Sequence, residues 1–287
     1  MIGRVLSVHS AVCEVDLGDM LVSCVLRGRL KISDAQIYAG DIVTVSYSDD
    51  VYVIEEVHER SNLLVRPPVA NVNQGILVTA VTKPPMSYLY IDRVLVQMEY
   101  EGVRGVICVN KQDIEQPEKI QEIIDVYSQA GYECVVTSAL TGYGLDELGR
   151  LLRGKVSVFA GQSGVGKSKL IASLVGADLL IGNLSQAGRG RHTTKWVKLF
   201  PIGGHGYVAD TPGFSRIDLI PVEPHELGLL FPEIRKYAGL CHFPKCLHKT
   251  EDRCGVKHAL SQGEIPARRY ESYLKLLEEA TERRRYS

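Results

Sequence analysis

Gly161-Gln162-Ser163-Gly164-Val165-Gly166-Lys167-Ser168 reads G-x-x-x-x-G-K-S. Lys155-Val156-Ser157-Val158-Phe159-Ala160 before it is an apolar run of strand type, and Leu170-Ile171-Ala172-Ser173-Leu174-Val175 after it starts a helix. Strand, glycine loop and helix in that order are what a phosphate-binding loop requires. The glycines let backbone N–H groups turn inward on a phosphate chain, and the helix N-terminus adds its positive end. The candidate set is Gly161, Gln162, Ser163, Gly164, Val165, Gly166, Lys167, Ser168 and the adjoining Lys169. Lys167 would reach the β- and γ-phosphates, and the Ser168 hydroxyl would hold Mg²⁺.

Upstream, the apolar run 103–109 ends in Asn110-Lys111-Gln112-Asp113, N-K-x-D. A carboxylate at Asp113 accepts from both the N1–H and the N2–H₂ groups of guanine, and adenine offers no such pair. A site built on that contact leaves Asp113 unpaired with the wrong base. Asn110 would brace the glycine loop, and the Lys111 stem would cover one face of the base. Thr137-Ser138-Ala139, at the tip of the next strand, suits a backbone N–H donor to guanine O6.

Downstream, Asp210-Thr211-Pro212-Gly213 reads D-x-x-G. Asp210 would hold Mg²⁺ through water, and the Gly213 N–H would meet the γ-phosphate. Between them lies Gly190-Arg191-His192-Thr193-Thr194. One of its threonines, Thr193 or Thr194, would close on Mg²⁺ when triphosphate is bound; Thr193 is the candidate ligand beside Ser168 and Asp210. These are the parts of a Ras-like GTPase with the base-reading motifs first and the phosphate and switch motifs after. The order is that of a circular permutation, which a compact domain with nearby termini tolerates. The second switch then leads directly into the C-terminal segment. Where Ras-like enzymes carry the glutamine that orients the attacking water, this chain has Phe214. The candidate catalytic residue is therefore His192, or a partner completes the site.

Around this centre the chain divides into three. Residues 1–66 show five short alternating runs punctuated by Gly18-Asp19, Gly40-Asp41 and Asp49-Asp50, the pattern of a small closed barrel, of OB or SH3 type. Arg66-Pro67-Pro68 reads as a linker. Residues 67–218 alternate strands and helices, which implies a mostly parallel sheet with helices on both faces. Residues 219–287 lose the apolar periodicity in a cysteine-rich stretch with little core of its own and close in a polar helix, roughly 266–282. The fold class is thus multidomain α/β.

Composition agrees with a soluble protein: 45% of the 287 residues are hydrophobic and 23% charged. No secretory leader pattern opens the chain and no apolar run nears the length of a membrane span, so the expectation is cytoplasmic. Net charge is −1, yet residues 1–68 carry 6 Lys/Arg against 10 Asp/Glu and residues 230–287 carry 12 against 8. Any electrostatic footing on nucleic acid lies at the C-terminal end. Among the seven cysteines, Cys13, Cys24, Cys108 and Cys134 sit singly in apolar runs and read as buried thiols. Cys241-x₄-Cys246-x-His248-x₅-Cys254 offers three thiolates and an imidazole, a closed set for structural Zn²⁺. His242 and His258 stand close enough in sequence to substitute.

Taken together, the motifs N-K-Q-D, T-S-A, G-Q-S-G-V-G-K-S, G-R-H-T-T, D-T-P-G-F and C-x₄-C-x-H-x₅-C resemble those of the RsgA (YjeQ/YloQ) family of circularly permuted GTPases, over essentially the whole chain. The resemblance implies an OB barrel and a bacterial factor that binds the 30S ribosomal subunit and its 16S rRNA late in maturation. It also implies GTP hydrolysis to GDP stimulated by that subunit. The implied partners are GTP, GDP and the subunit, with no membrane and no DNA, and the chain is expected to be a monomer. Two features depart from the family: Lys195 stands where a threonine run often continues, and the N-terminal barrel is acidic. A GTP-gated RNA-binding module with incidental hydrolysis is the alternative in a different class. A P-loop kinase or ATPase is a third, and Asp113 argues against it.

Overall fold

The structure, a computed structural model, describes residues 1–9, 12–26, 36–65, 68–176, 197–210 and 220–285. Five strands, β1 (Ile2–His9), β2 (Val12–Asp16), β3 (Leu21–Leu26), β4 (Ile42–Ser48) and β5 (Val51–Val57), close a barrel in the order β1-β2-β3-β5-β4. All pairs are antiparallel except β3 with β5, which gives the OB type rather than the SH3 type. Alternate residues point inward, and Val5, Cys13, Val15, Val22, Cys24, Val43, Val45 and Ile54 form the barrel core. The stretch read as a linker is flanked by a short antiparallel ribbon, β6 (Leu63–Val65) with β7 (Pro68–Ala70).

The next elements are β8 (Gln74–Thr79), α1 (Tyr88–Tyr100), β9 (Arg104–Val109), α2 (Pro117–Gln129), β10 (Glu133–Val136), α3 (Leu145–Leu152), β11 (Val156–Ala160), α4 (Lys167–Val175), β12 (Leu199–Ile202) and β13 (Gly206–Asp210). The strands form one sheet in the order β10-β9-β8-β11-β13-β12. β8 and β11 are buried at every residue, as strands covered on both faces must be. β12 runs antiparallel to β13, an edge to an otherwise parallel pattern. Ser87 caps α1, its hydroxyl accepting from the Tyr90 N–H at 3.3 Å. The helix therefore starts after Ser87.

The C-terminal segment adds α5 (Pro232–Ala238), α6 (Gly255–Ser261) and α7 (Ala267–Arg285). Here the expectation of a loop with little core fails. Leu227, Phe231, Ile234, Val256, Ile265, Tyr273, Leu276 and Leu277 pack together with Val96 of α1. α7 is polar on average, but Tyr273, Leu276, Leu277 and Ala280 follow i, i+3, i+4, i+7 and line its buried face. One turn earlier on that stripe stands Arg269, wholly buried. Its Nη1 meets Asp92 of α1 at 2.6 Å and its Nε meets Glu233 of α5 at 2.7 Å, with the Phe231 ring 4.7 Å away. No helix among the described residues is long and apolar enough to cross a membrane.

By contact density the chain forms two compact units. One is Met1–Gly75, Leu145–Ala160 and Lys167–Phe214; the other is Ile76–Gly144, Gly161–Gly166 and Ser215–Ser287.

Candidate nucleotide site and metal centre

Parallel pairing of β9 with β10 brings their C-terminal ends to one edge, Val109 opposite Val136. The ladder continues past both strands: the Thr137 N–H donates to Val109 O at 2.8 Å, and the Asn110 N–H to Thr79 O at 2.8 Å. Asn110 thereby stands beside Thr137, at the carboxyl edge where open α/β sheets bind ligands. Its side chain is 1% exposed and fully used. Nδ2 donates to Val165 O at 2.8 Å, while Oδ1 accepts from Thr137 Oγ1 and from the Ala139 N–H, each at 3.1 Å. One amide thus ties the glycine loop to the Asn110 turn and to Thr137 and Ala139.

Two glycines are required by this packing. Gly161 holds φ 137° and Gly166 φ 101°, conformations that L side chains rarely adopt. A Cβ on Gly161 would collide with Val78 O, and one on Gly166 with the Asn110 amide. Lys111 Nζ donates to Gly164 O at 2.6 Å and to Lys83 O at 2.5 Å. Asp113 sits exposed on a 3₁₀ turn, Gln112–Ile114, and its Oδ1 accepts from Ser138 Oγ at 2.5 Å. Gln112 contributes its N–H to Thr137 O at 3.1 Å. Asn110, Lys111, Gln112, Asp113, Thr137, Ser138 and Ala139 therefore form one hydrogen-bonded group with Gly164 and Val165 within one unit.

In the other unit, Lys167, Ser168 and Lys169 open α4 directly after the loop. β13 runs parallel to β11 with Asp210 opposite Phe159, so Asp210 ends its strand beside the end of β11. His192, Thr193, Thr194 and Gly213 lie outside the described residues. Sequence reasoning missed Glu115 and Thr82. Glu115 is 8% exposed and accepts from the Thr82 N–H and hydroxyl. Only a buried carboxylate two residues past Asp113 could have signalled it, and a lone Glu carries no such signal in sequence.

The second cluster is built by Cys241, Cys246, His248 and Cys254, whose ligand atoms lie within 4.8 Å of one another. Cys241 Sγ is 3.7 Å from Cys254 Sγ, and both sulfurs are 3.4 Å from His248 Nδ1. Tetrahedral Zn²⁺ with Zn–S of about 2.3 Å sets sulfurs about 3.8 Å apart, so the four residues fit such an ion. His248, not His242 or His258, completes the set. Its left-handed backbone, φ 54°, is held by neighbours: Tyr270 OH donates to His248 O and Tyr273 OH to Leu247 O, each at 2.6 Å. Glu251 accepts from the N–H groups of Leu247, Lys249 and Thr250 at 2.6 to 3.0 Å. Burial opposes the Glu251 charge, but these N–H groups hold its carboxyl below the ordinary range. Burial pushes the Cys246 thiol up to about 12 and raises Cys254, while it lowers His248. Neutral pH alone leaves these sulfurs protonated; a divalent cation is what makes them thiolates.

The RsgA GTPase family model matches residues 57–220. A small ribosomal subunit biogenesis GTPase RsgA of Thermotoga neapolitana is 43% identical, covering 96% of each chain. That of Caldanaerobacter subterraneus is 41% identical over 93% of this chain and 92% of its own. The crystal structure of YjeQ from Thermotoga maritima superposes with a TM-score of 0.83 at 38% identity, covering 98% of each chain. YloQ, described as a circularly permuted GTPase, gives 0.83 at 32% identity, covering 98% of this chain and 95% of its own.

Proposed function

The chain belongs to the RsgA GTPase family and is a GTP-hydrolysing enzyme, and from that premise we propose that it binds the 30S ribosomal subunit and acts in its late maturation, hydrolysing GTP when the subunit completes the site. The relatives' printed role in small-subunit biogenesis supports this reading. The observation that carries the nucleotide half is Asn110, whose one amide joins the glycine loop to Thr137 and Ala139.

In this reading Asp113 accepts the guanine N1–H and N2–H₂ groups, Ser138 aligns its carboxylate, and the Lys111 stem covers the base. The Gly161–Lys169 segment takes the phosphates by backbone N–H groups and Lys167. Mg²⁺, held by Ser168, Asp210 and Thr193, would offset charge on the β- and γ-phosphates. His192, or a group of the subunit, orients the attacking water in place of the glutamine that Phe214 replaces. Free protein then turns over slowly, and a group supplied in trans raises the rate by up to about 10³–10⁵. Zn²⁺ on Cys241, Cys246, His248 and Cys254 is structural, since four protein ligands leave no open position. Residues 1–66, 67–218 and 219–287 serve as barrel, GTPase and zinc domains. The chain acts as a cytoplasmic monomer, and the C-terminal excess of Lys and Arg provides its footing on 16S rRNA.

GTP turnover with and without purified small subunits, at two salt concentrations, tests the proposal. Stimulation that weakens at higher salt is the expected result; equal rates would refute the ribosomal half. The charge excess at the C-terminus also favours a second reading, a GTP-gated RNA-binding module. Substituting Lys167 or Ser168 separates the two: assembly function that survives loss of hydrolysis alone favours the module.

A further inference from the structure

The hydrogen bonds around Lys111 outline a part of the base site that no motif marks. Thr82-Lys83-Pro84-Pro85 lies in the turn between β8 and α1. Glu115 Oε1 accepts from the Thr82 N–H at 2.9 Å, and the Thr82 hydroxyl reaches both carboxylate oxygens at 3.0 and 2.9 Å. One residue further, Lys83 O accepts from Lys111 Nζ at 2.5 Å. The same ammonium donates to Gly164 O at 2.6 Å. Pro84 Cδ lies 3.9 Å from where a Cβ on Gly164 would stand. Thr82, Lys83 and Pro84 are thus fixed between the turn that carries Asp113 and the glycine loop.

A lysine is a point charge on a flexible four-carbon stem, and what aims it is the position of its acceptors. Lys111 has two carbonyl acceptors on separate segments. Gly164 O is set by the glycine loop. Lys83 O is set by Thr82, and Thr82 is set by Glu115. We infer that the Thr82–Pro85 turn is a further wall of the guanine site and that Glu115 is a positioning residue for Lys111, acting through Thr82 and the Lys83 carbonyl. The inference rests on the guanine-nucleotide reading above. Asp113 selects the base by its edge, whereas Glu115 governs how firmly any purine is covered on its face.

The test measures Kd for GDP, GTP and xanthosine diphosphate with the full chain, below the melting temperature of each variant. Glu115→Ala should raise Kd for GDP and GTP in parallel by about tenfold. Glu115→Gln keeps an acceptor for the Thr82 N–H and should recover part of the loss. Thr82→Val should give a smaller rise. KM for GTP should follow Kd while kcat holds, and the preference for guanine over xanthine should not move, because Asp113 is untouched. A purely structural Glu115 would lower the melting temperature and leave Kd as in the wild type, and that result overturns the inference. If Glu115→Ala does not fold, Thr82→Val decides: an unchanged Kd for GDP overturns it equally. Wild-type protein with no preference for guanine nucleotides would instead sink the parent reading.

Discussion

The Asn110 turn and the cysteine cluster are both assembled from loop residues, yet they are held in opposite ways. Around Asn110 every polar atom of the side chain already has a protein partner: Val165 O, Thr137 Oγ1 and the Ala139 N–H. The geometry of this turn stands on neutral hydrogen bonds made within the chain. Around His248 the ligand atoms are equally close, but burial drives the Cys246 and Cys254 thiols up and the imidazole down. That site is set in shape, and a divalent cation is what would turn its thiols into thiolates. A preorganised ligand site needs its ligand only for function, whereas a buried set of thiols needs its cation to be stable in its working form.

The largest effect should come from removing that cation. Structural zinc supplies about 10–16 kcal/mol of apparent binding free energy at neutral pH in small domains. A strong chelator, or Cys254→Ala, should therefore cost the C-terminal segment its cooperative unfolding transition, read by hydrogen exchange in α5 and α6. The core around Phe231, Tyr273 and Leu276 sets a limit on the damage. If exchange in those helices is unchanged after chelation, the contrast between the two sites is wrong.

Next in size is Arg269→Met. It leaves Asp92 and Glu233 facing each other in a dry interior, and breaking such a buried group by one partner costs about 3–5 kcal/mol. Because those residues join α7 to α1 and α5, the loss should appear in the midpoint of denaturant unfolding. Restoring charge balance with Asp92→Asn and Glu233→Gln should recover part of it.

Asn110→Ala tests the preorganised side. It leaves Val165 O, Thr137 Oγ1 and the Ala139 N–H without their partner, about 1–3 kcal/mol, or roughly a 5- to 150-fold rise in Kd for GDP. Metal content should not change. A smaller effect belongs to Glu251→Gln. Its folded pKa lies below the ordinary value of 4.5, so the stability it contributes is present above that value and fades as pH falls through the folded pKa. Wild type should therefore lose stability faster than Glu251→Gln on acidification, with thermal midpoints converging at low pH.

Much of this was legible from the chain. The five barrel strands announce themselves by alternation and by turn residues, because a half-buried strand must repeat every two residues. α2, β10 and α3 continue the alternation of helix and strand expected of residues 67–218. The metal set is visible because thiols and imidazole at short spacing have few other uses. What stayed hidden depended on long-range packing. α7 is rich in Arg and Glu, and its apolar stripe of Tyr273, Leu276, Leu277 and Ala280 is narrow enough for the average to conceal it. α5 and α6 have seven residues each, too short for a period to show. Arg269, Asp92 and Glu233 look like ordinary surface charges until three helices converge on them. Glu115 was hidden for the same reason, since its partner Thr82 lies on another turn.

The most direct test of the account compares equilibrium binding of GDP and xanthosine diphosphate to wild-type protein and to Asp113→Asn. The wild type should prefer GDP by at least about a hundredfold, since both guanine N–H donors end on one carboxylate. The asparagine variant should reverse that order, because its amide can donate to the xanthine C2 carbonyl. A variant that keeps the wild-type preference for GDP would mean that Asp113 does not read the base, and the account would fall.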